Sequence, residues 1–249
     1  MVFTRPAIWQ EDMISVSQIM QKGIIAVLEP TNGYMILIPK LITFLSLSLA
    51  KIDYYPFVST VAATFFDISV LYMLAYCPIL LKNRRYLPLF VALIPSNVEC
   101  FLLPLYTFGF AGLLLFLLPL WSFKGKDTHI LLRTSIGLFC GLSNPMVIPI
   151  AALVFLRWLK TKRVDELLVF FVVLFCSIVQ LYYVSGEVSS FGNQIFPLHT
   201  FVRQIILTYF GQYAINFLPK QDLRIAAGCI VLFAMLLEYK RIISKDCRF

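Results

Sequence analysis

Residues 56–81 form an unbroken apolar run in which Asp67 is the only charged side chain. A bilayer-spanning helix needs about 20 predominantly apolar residues, and a charge at its centre costs about 2.5–3.5 kcal/mol on insertion scales. Further runs of the same kind occupy 99–122, 166–184 and 224–238. A chain with four such runs has few folds open to it. With no water to satisfy its backbone it must form helices, so the expected fold is all-α, a polytopic transmembrane bundle. The composition agrees: 60% of residues are hydrophobic and 14% charged, against roughly half and a quarter in soluble domains.

Two weaker stretches complete the pattern. Residues 129–159 are interrupted by Asn144-Pro145, and a residue before proline is pushed out of helix. The reading is therefore two short helices, 129–143 and 145–159, joined by a turn at Leu142-Ser143-Asn144-Pro145. Residues 86–97 are short and carry Pro88 and Pro95.

Charge orders these segments. The basic clusters Lys82/Arg84/Arg85, Lys124/Lys126, Arg157/Lys160/Lys162/Arg163 and Lys240/Arg241/Lys245/Arg248 lie between apolar runs. The positive-inside rule puts all four on the cytoplasmic side. An even number of crossings must then separate successive clusters, which gives about seven crossings in one transmembrane domain, 1–249. Residues 1–55 become an extracytoplasmic first loop with juxtamembrane helices, and 56–184 the core helices. A second outer loop, 185–223, holds a half-buried helix around 200–217. Residues 224–249 form the last span and a basic tail. In this scheme 34–50 does not cross but lies along the outer interface, with Lys40 snorkelling to water. The net charge of +8 is thereby assigned to topology and lipid headgroups rather than to nucleic acid.

The six cysteines are scattered without a C-x-x-C pair, and His129 and His199 lie far apart, so neither a disulfide framework nor a zinc site is expected. Walker-type, HExxH and GxSxG patterns are absent from the sequence, which leaves ATP-driven transport, zinc proteolysis and serine hydrolysis without support. The start of the chain lacks the layout of a cleavable signal peptide. No cofactor is called for. A divalent metal has no ligand pattern to support it, although external carboxylates are chemically able to act as ligands or as bases.

The polar residues that remain are candidates for chemistry. Residues 9–23 have the period of an amphipathic helix, with Glu11, Ser15, Gln18 and Lys22 on one stripe and Met13, Val16 and Met20 facing elsewhere. In the outer interface such a helix would offer Glu11 and Asp12 to a boundary cavity, where partial desolvation suits a general base. A solvated surface helix is the competing explanation. Asp67 must face the bundle interior, a watery cavity or a partner. Glu99 and Asn97 fall at one outer turn and Asn144 at the next. Lys40, His199 and Arg203 lie on outer-face segments, where each would hold a phosphate or touch lipid headgroups.

Read in order, these residues resemble the GT-C superfamily of membrane glycosyltransferases, in particular the bacterial branch that decorates lipopolysaccharide O-antigen and other envelope glycans. The resemblance runs through Arg5-Pro6, Trp9-Gln10-Glu11-Asp12, Gly23, Pro30-x-x-Gly33-Tyr34 and Ile38-Pro39-Lys40-Leu41. It continues through Pro95-Ser96-Asn97-Val98-Glu99, Gly141-Leu142-Ser143-Asn144-Pro145 and Leu156-Arg157-Trp158-Leu159. It implies a GT-C-like fold in the bacterial inner membrane and transfer of a hexose from a polyprenyl-phosphate donor to a glycan acceptor at the outer face. It also implies Asp12 as base with Glu11 and Glu99 in support. Lys40, Tyr34, Asn97, Asn144, His199 and Arg203 would be the substrate and lipid-phosphate contacts. The family carries a transmembrane helix ahead of its acidic loop and a longer C-terminal half. A membrane partner supplying such helices is the second expectation, with the chain as a non-catalytic or flippase-like subunit.

Overall fold

The computed structural model describes residues 10–31, 33–80, 84–93, 103–122 and 129–190. The chain divides into two compact units, Met1–Val188 and Ser189–Phe249. The fold described below is that of the first. The expected helix around 200–217 and the expected span 224–238 lie outside the described residues.

The described part is mostly helical and contains no strand. Its helices are α1 (Gln10–Lys22), α2 (Leu37–Leu49), α3 (Tyr55–Tyr76), α4 (Leu87–Leu93), α5 (Thr107–Leu120), α6 (Ile130–Gly141), α7 (Val147–Thr161) and α8 (Val164–Ser190), with 3-10 turns at Gly23–Leu28, Ile52–Tyr54 and Arg84–Tyr86. Local chemistry sets several boundaries. Pro56 sits in the first turn of α3, where its missing N–H costs nothing. The expected break at Asn144 is present: the Asn144 Oδ1 accepts the Met146 N–H at 2.8 Å and the Nδ2 donates to the Phe108 carbonyl at 2.7 Å. Helix α7 ends on Lys162, whose φ of 53° is left-handed, and α8 opens with Asp165 and Glu166 in its first turn, matching the helix dipole.

Hydrogen bonds at the helix ends fix the direction of each helix. After α3, the Leu80 N–H donates to the Leu120 carbonyl (2.9 Å) and the Ser122 N–H to the Pro78 carbonyl (2.6 Å). Helices α3 and α5 therefore finish side by side. Arg157 near the end of α7 donates to the carbonyls of Pro119 and Trp121. Arg133 near the start of α6 and Arg157 both pair with Glu166 at the start of α8. At the other end, the Leu37 N–H donates to the Leu142 carbonyl and the Ile38 N–H to Ser143 Oγ. Thus α3, α5 and α7 run one way and α6 and α8 the other. The first end, followed by Arg84, Arg85, Lys160, Lys162 and Arg163, is called the basic end here.

Two stretches, Ile52–Tyr76 and Val164–Val184, are long and apolar enough to cross a membrane. The expected spans 99–122, 129–143 and 145–159 appear as helices of 14, 12 and 15 residues. At 1.5 Å per residue these measure about 21, 18 and 22 Å, short of the roughly 30 Å hydrocarbon core. The outer surface of the long helices is apolar. Phe65 on α3 is 73% exposed, and Phe171, Phe175, Ile178 and Tyr182 form one exposed stripe along α8, since positions three and four apart share a helix face. The inner faces pack closely. A Cβ on Gly141 would lie 2.9 Å from Cys176 Cβ, and one on Gly112 would lie 2.8 Å from Asn144 Nδ2. Small residues thus bring α6 against α8 and α5 against the Asn144 turn.

Helix α2 departs from expectation. Rather than lying along a surface, it buries Leu37, Ile38, Pro39, Lys40, Ile42, Thr43 and Ser46. Its N-terminus is pinned at the α6–α7 turn, about 18 Å above the start of α6 by helix rise, while its C-terminus leads to the head of α3. Ile38 and Ile42 share one apolar cluster with Val70 and Leu74. Helix α2 is therefore a half-length wedge that begins at mid-height in the bundle. The extended segment before it carries backbone groups into that interior, and they are satisfied. Gly33, at a φ of 80°, closes a tight turn in which Thr31 and Tyr34 exchange N–H···O bonds. The Gln180 side-chain amide then clasps Met35, its Oε1 accepting the Met35 N–H and its Nε2 donating to the Met35 carbonyl, each at 3.0 Å, with a further bond to the Gly141 carbonyl at 3.2 Å. Irregular backbone at such depth is tolerated only where protein partners replace water.

Candidate functional site

Helix α1 folds against the Gly23–Leu28 turn and α2. Asp12, Ser15, Val16 and Ile19 are buried, whereas Met13 (51%) and Met20 (66%) are exposed. The buried face is mixed, Asp12 and Ser15 lying beside Val16 and Ile19, while Lys22 of the expected polar stripe stays exposed. Asp12, 5% exposed, lies within electrostatic reach of the Tyr55 phenol at the head of α3 and is engaged by its neighbours. The Tyr55 hydroxyl donates to Thr43 Oγ1 at 3.5 Å, and Thr43 donates in turn to the Pro39 carbonyl at 3.0 Å. Asp12, Thr43 and Tyr55 thus bring three helices to one buried polar junction.

Lys40 is the second correction. Instead of reaching water it is wholly buried. Its ammonium spends all three protons inside the protein, on Gln18 Oε1 (2.8 Å), the Ala26 carbonyl (3.0 Å) and the Glu29 carbonyl (2.8 Å). Burial pushes its pKa from 10.5 down to about 8, against the opposing pull of the Glu29 carboxylate. The Glu29 side chain is itself bound by Lys22 at 2.8 Å. Lys40 therefore ties α1 and the 3-10 turn to α2, and a phosphate would have to displace one of those bonds.

Tyr34 and Asn144 come together elsewhere, at the wedge's inner end. The Tyr34 ring lies 6.5 Å from that of Phe108, whose carbonyl accepts from Asn144. Glu11 lies on α1. Its side chain, and Glu99, Asn97, His199 and Arg203 entirely, fall outside the described residues. Among the described residues no group of three His, Cys, Asp or Glu is arranged to hold a metal.

Two features escaped sequence reading, a buried ion cluster and Gln180. Arg157, counted there with the surface clusters, is buried, as are Arg133 and Glu166. Arg157 Nε lies 3.4 Å from Glu166, Arg133 pairs with the other carboxylate oxygen, and the Arg133 guanidinium sits 5.8 Å from the Trp121 ring centre. The sequence signal was a charge inside each of three apolar runs. Gln180 gave a similar signal, one amide in the apolar run 166–184. Asp67 was recognised as anomalous, and it does face the interior: it is 3% exposed, with neither carboxylate oxygen hydrogen-bonded.

Compared with known protein families, curated proteins and solved structures, the chain matches none. What fold and site define is therefore a class: a mostly helical chain with two helices long and apolar enough to cross a membrane and a buried polar junction at the head of the first.

Proposed function

We propose that the chain is a multi-pass glycosyltransferase of the bacterial inner membrane, similar to the GT-C enzymes. It moves a hexose from a polyprenyl-phosphate donor to a cell-envelope glycan at the outer face. The observation that carries this reading is Asp12, held against the head of α3 at the end of the bundle remote from the basic clusters. Arg84, Arg85, Lys160, Lys162 and Arg163 follow helices that finish at the basic end, which the positive-inside rule makes cytoplasmic. The alternating helix directions and the apolar outer stripes support the same orientation in a bilayer. In the reaction Asp12 takes the proton of the acceptor hydroxyl as its oxygen attacks the anomeric carbon. The bond from that carbon to the phosphate oxygen breaks, and polyprenyl phosphate leaves with the electron pair.

The test is Asp12→Asn in a donor-dependent transfer assay with reconstituted protein. Transfer should fall to background while the variant stays membrane-inserted and monodisperse; full activity would remove the assignment. A second reading, a non-catalytic subunit of lipid-linked sugar export, is favoured by Lys40, whose three donors are already occupied. It predicts no turnover by the purified parent chain and co-purification of a second membrane protein that restores it.

A further inference from the structure

We infer that Asp67 is a buried proton-binding site, reached from the Asp12 end of the bundle along a hydroxyl-lined seam between α2 and α3. The inference stands apart from the transferase reading, since it needs no sugar chemistry.

Tyr55, Ser59, Ala63, Asp67, Val70 and Leu74 recur three or four residues apart and are all buried, so they form one inward stripe of α3. The character of this stripe changes along its length. From the head it is polar through Tyr55, Ser59 and neighbouring Thr60; Ala63 follows, with half-buried Thr64 beside it, and beyond Asp67 the stripe is apolar. Across the seam, α2 contributes Thr43, joined to Tyr55, and Ser46, one turn nearer the head on the same side. The Ser46 hydroxyl is buried without a hydrogen-bond partner. The seam is thus polar on both walls at its head; below that the hydroxyls continue on the α3 wall alone, through Thr60 and Thr64, and about 18 Å from Tyr55 the line stops at a carboxyl group.

That carboxyl has no means of holding charge. Both oxygens lack a donor, and every packed element confirms the lack among the described residues. Helices α4 and α5 carry no ionisable side chain. Helix α2 carries only Lys40, whose protons are committed elsewhere. Asp53 and Tyr54 lie exposed at the head, and Arg84, Arg85 and Tyr86 lie past the far end of α3. Tyr72 and Tyr76 are on its outer side. A metal cation would need several oxygen ligands around it, and the described residues provide no such shell. A proton needs one oxygen. Adding it to the carboxylate cancels the buried charge, and the hydroxyls of the seam supply alternating acceptors and donors for its passage.

Infrared spectroscopy of the reconstituted full chain tests this directly. At neutral pH a protonated-carboxyl C=O band should be present, absent in the isosteric Asp67→Asn variant, and shifted on transfer to D2O. In the Ser59→Ala variant the band should persist but shift roughly tenfold more slowly, as one missing relay hydrogen bond would give. No Asp67-dependent band at neutral pH, or equally fast exchange in the seam variant, would overturn the inference. Should Asp67→Asn fail to fold, the parent protein gives the answer alone. A hydrophobic carbodiimide, which reacts with protonated carboxyl groups, should label Asp67 in a pH-dependent manner by peptide mass spectrometry, and a water-soluble one should label Asp53 instead. Absence of Asp67 labelling across the pH range would refute the proposal.

Discussion

Replacing Gln180 by leucine should loosen the segment around Met35 and the start of α2 while leaving most of the bundle standing. The change keeps a side chain of similar volume but removes three hydrogen bonds, two to Met35 and one to the Gly141 carbonyl. The Met35 N–H and C=O would then be orphaned in a buried, non-helical stretch. An unsatisfied buried backbone group costs about 1–3 kcal/mol, so two give about 2–6 kcal/mol. Interhelical hydrogen bonds in membrane proteins average only about 0.6 kcal/mol, which for three bonds gives about 2 kcal/mol. The lower figure applies when the unfolded reference finds other partners in the bilayer. Met35 sits in an extended segment with no helical partner to fall back on, so we expect about 2–5 kcal/mol. Equilibrium unfolding in mixed micelles measures the loss, and hydrogen exchange locates it. Protection should collapse over residues 31–38 and hold within α5 and α8. If Gln180→Leu unfolds within about 0.5 kcal/mol of the parent, the range of ordinary surface substitutions, and Met35 stays protected, the clasp carries no weight and the account of the wedge fails.

Lys40 makes stability depend on pH with a definite sign. The unfolded chain keeps this proton up to about 10.5, whereas the folded chain releases it near 8. Between those values the unfolded state binds more protons, so stability rises with pH, by about 3 kcal/mol in total. Melting at pH 7.5 and pH 10.5 should show that rise in the parent and not in Lys40→Met, and equal rises would refute it. Glu166→Gln removes the carboxylate between Arg133 and Arg157 and should cost about 3–5 kcal/mol, as breaking a buried ion pair does; micellar unfolding reads it directly, and an unchanged midpoint would mean the guanidiniums are compensated by other groups.

The positions of the helices, though not their full lengths, could be read from the sequence because hydropathy and proline act locally. The turn at Asn144 and the order of the described helices appear where 129–143, 145–159 and the basic clusters pointed, and Asp67 faces inward as its cost demanded. Properties that depend on a distant partner could not be read. Lys40 looks like a snorkelling cation until Gln18, Ala26 and Glu29 are seen around it. Val16, set apart from the polar stripe in sequence, is buried beside Asp12 because α1 packs on α2 and the Gly23–Leu28 turn. Arg157 looks like one more topogenic charge until Glu166 is beside it. At the site, the sequence singled out Asp12 but not Tyr55 or Thr43, whose roles follow only from the meeting of α1, α2 and α3.

The Met35–Gln180 clasp also imposes an order of manufacture. Its two halves lie 145 residues apart, so at about 5–20 residues per second the ribosome needs roughly 7–30 s after Met35 before its partner exists. Throughout that interval the newborn segment must be shielded by the insertion machinery or wait in water, and α2 can take its seat only after α8 has been delivered. A segment made 145 residues ahead of its partner is thereby among the last to mature.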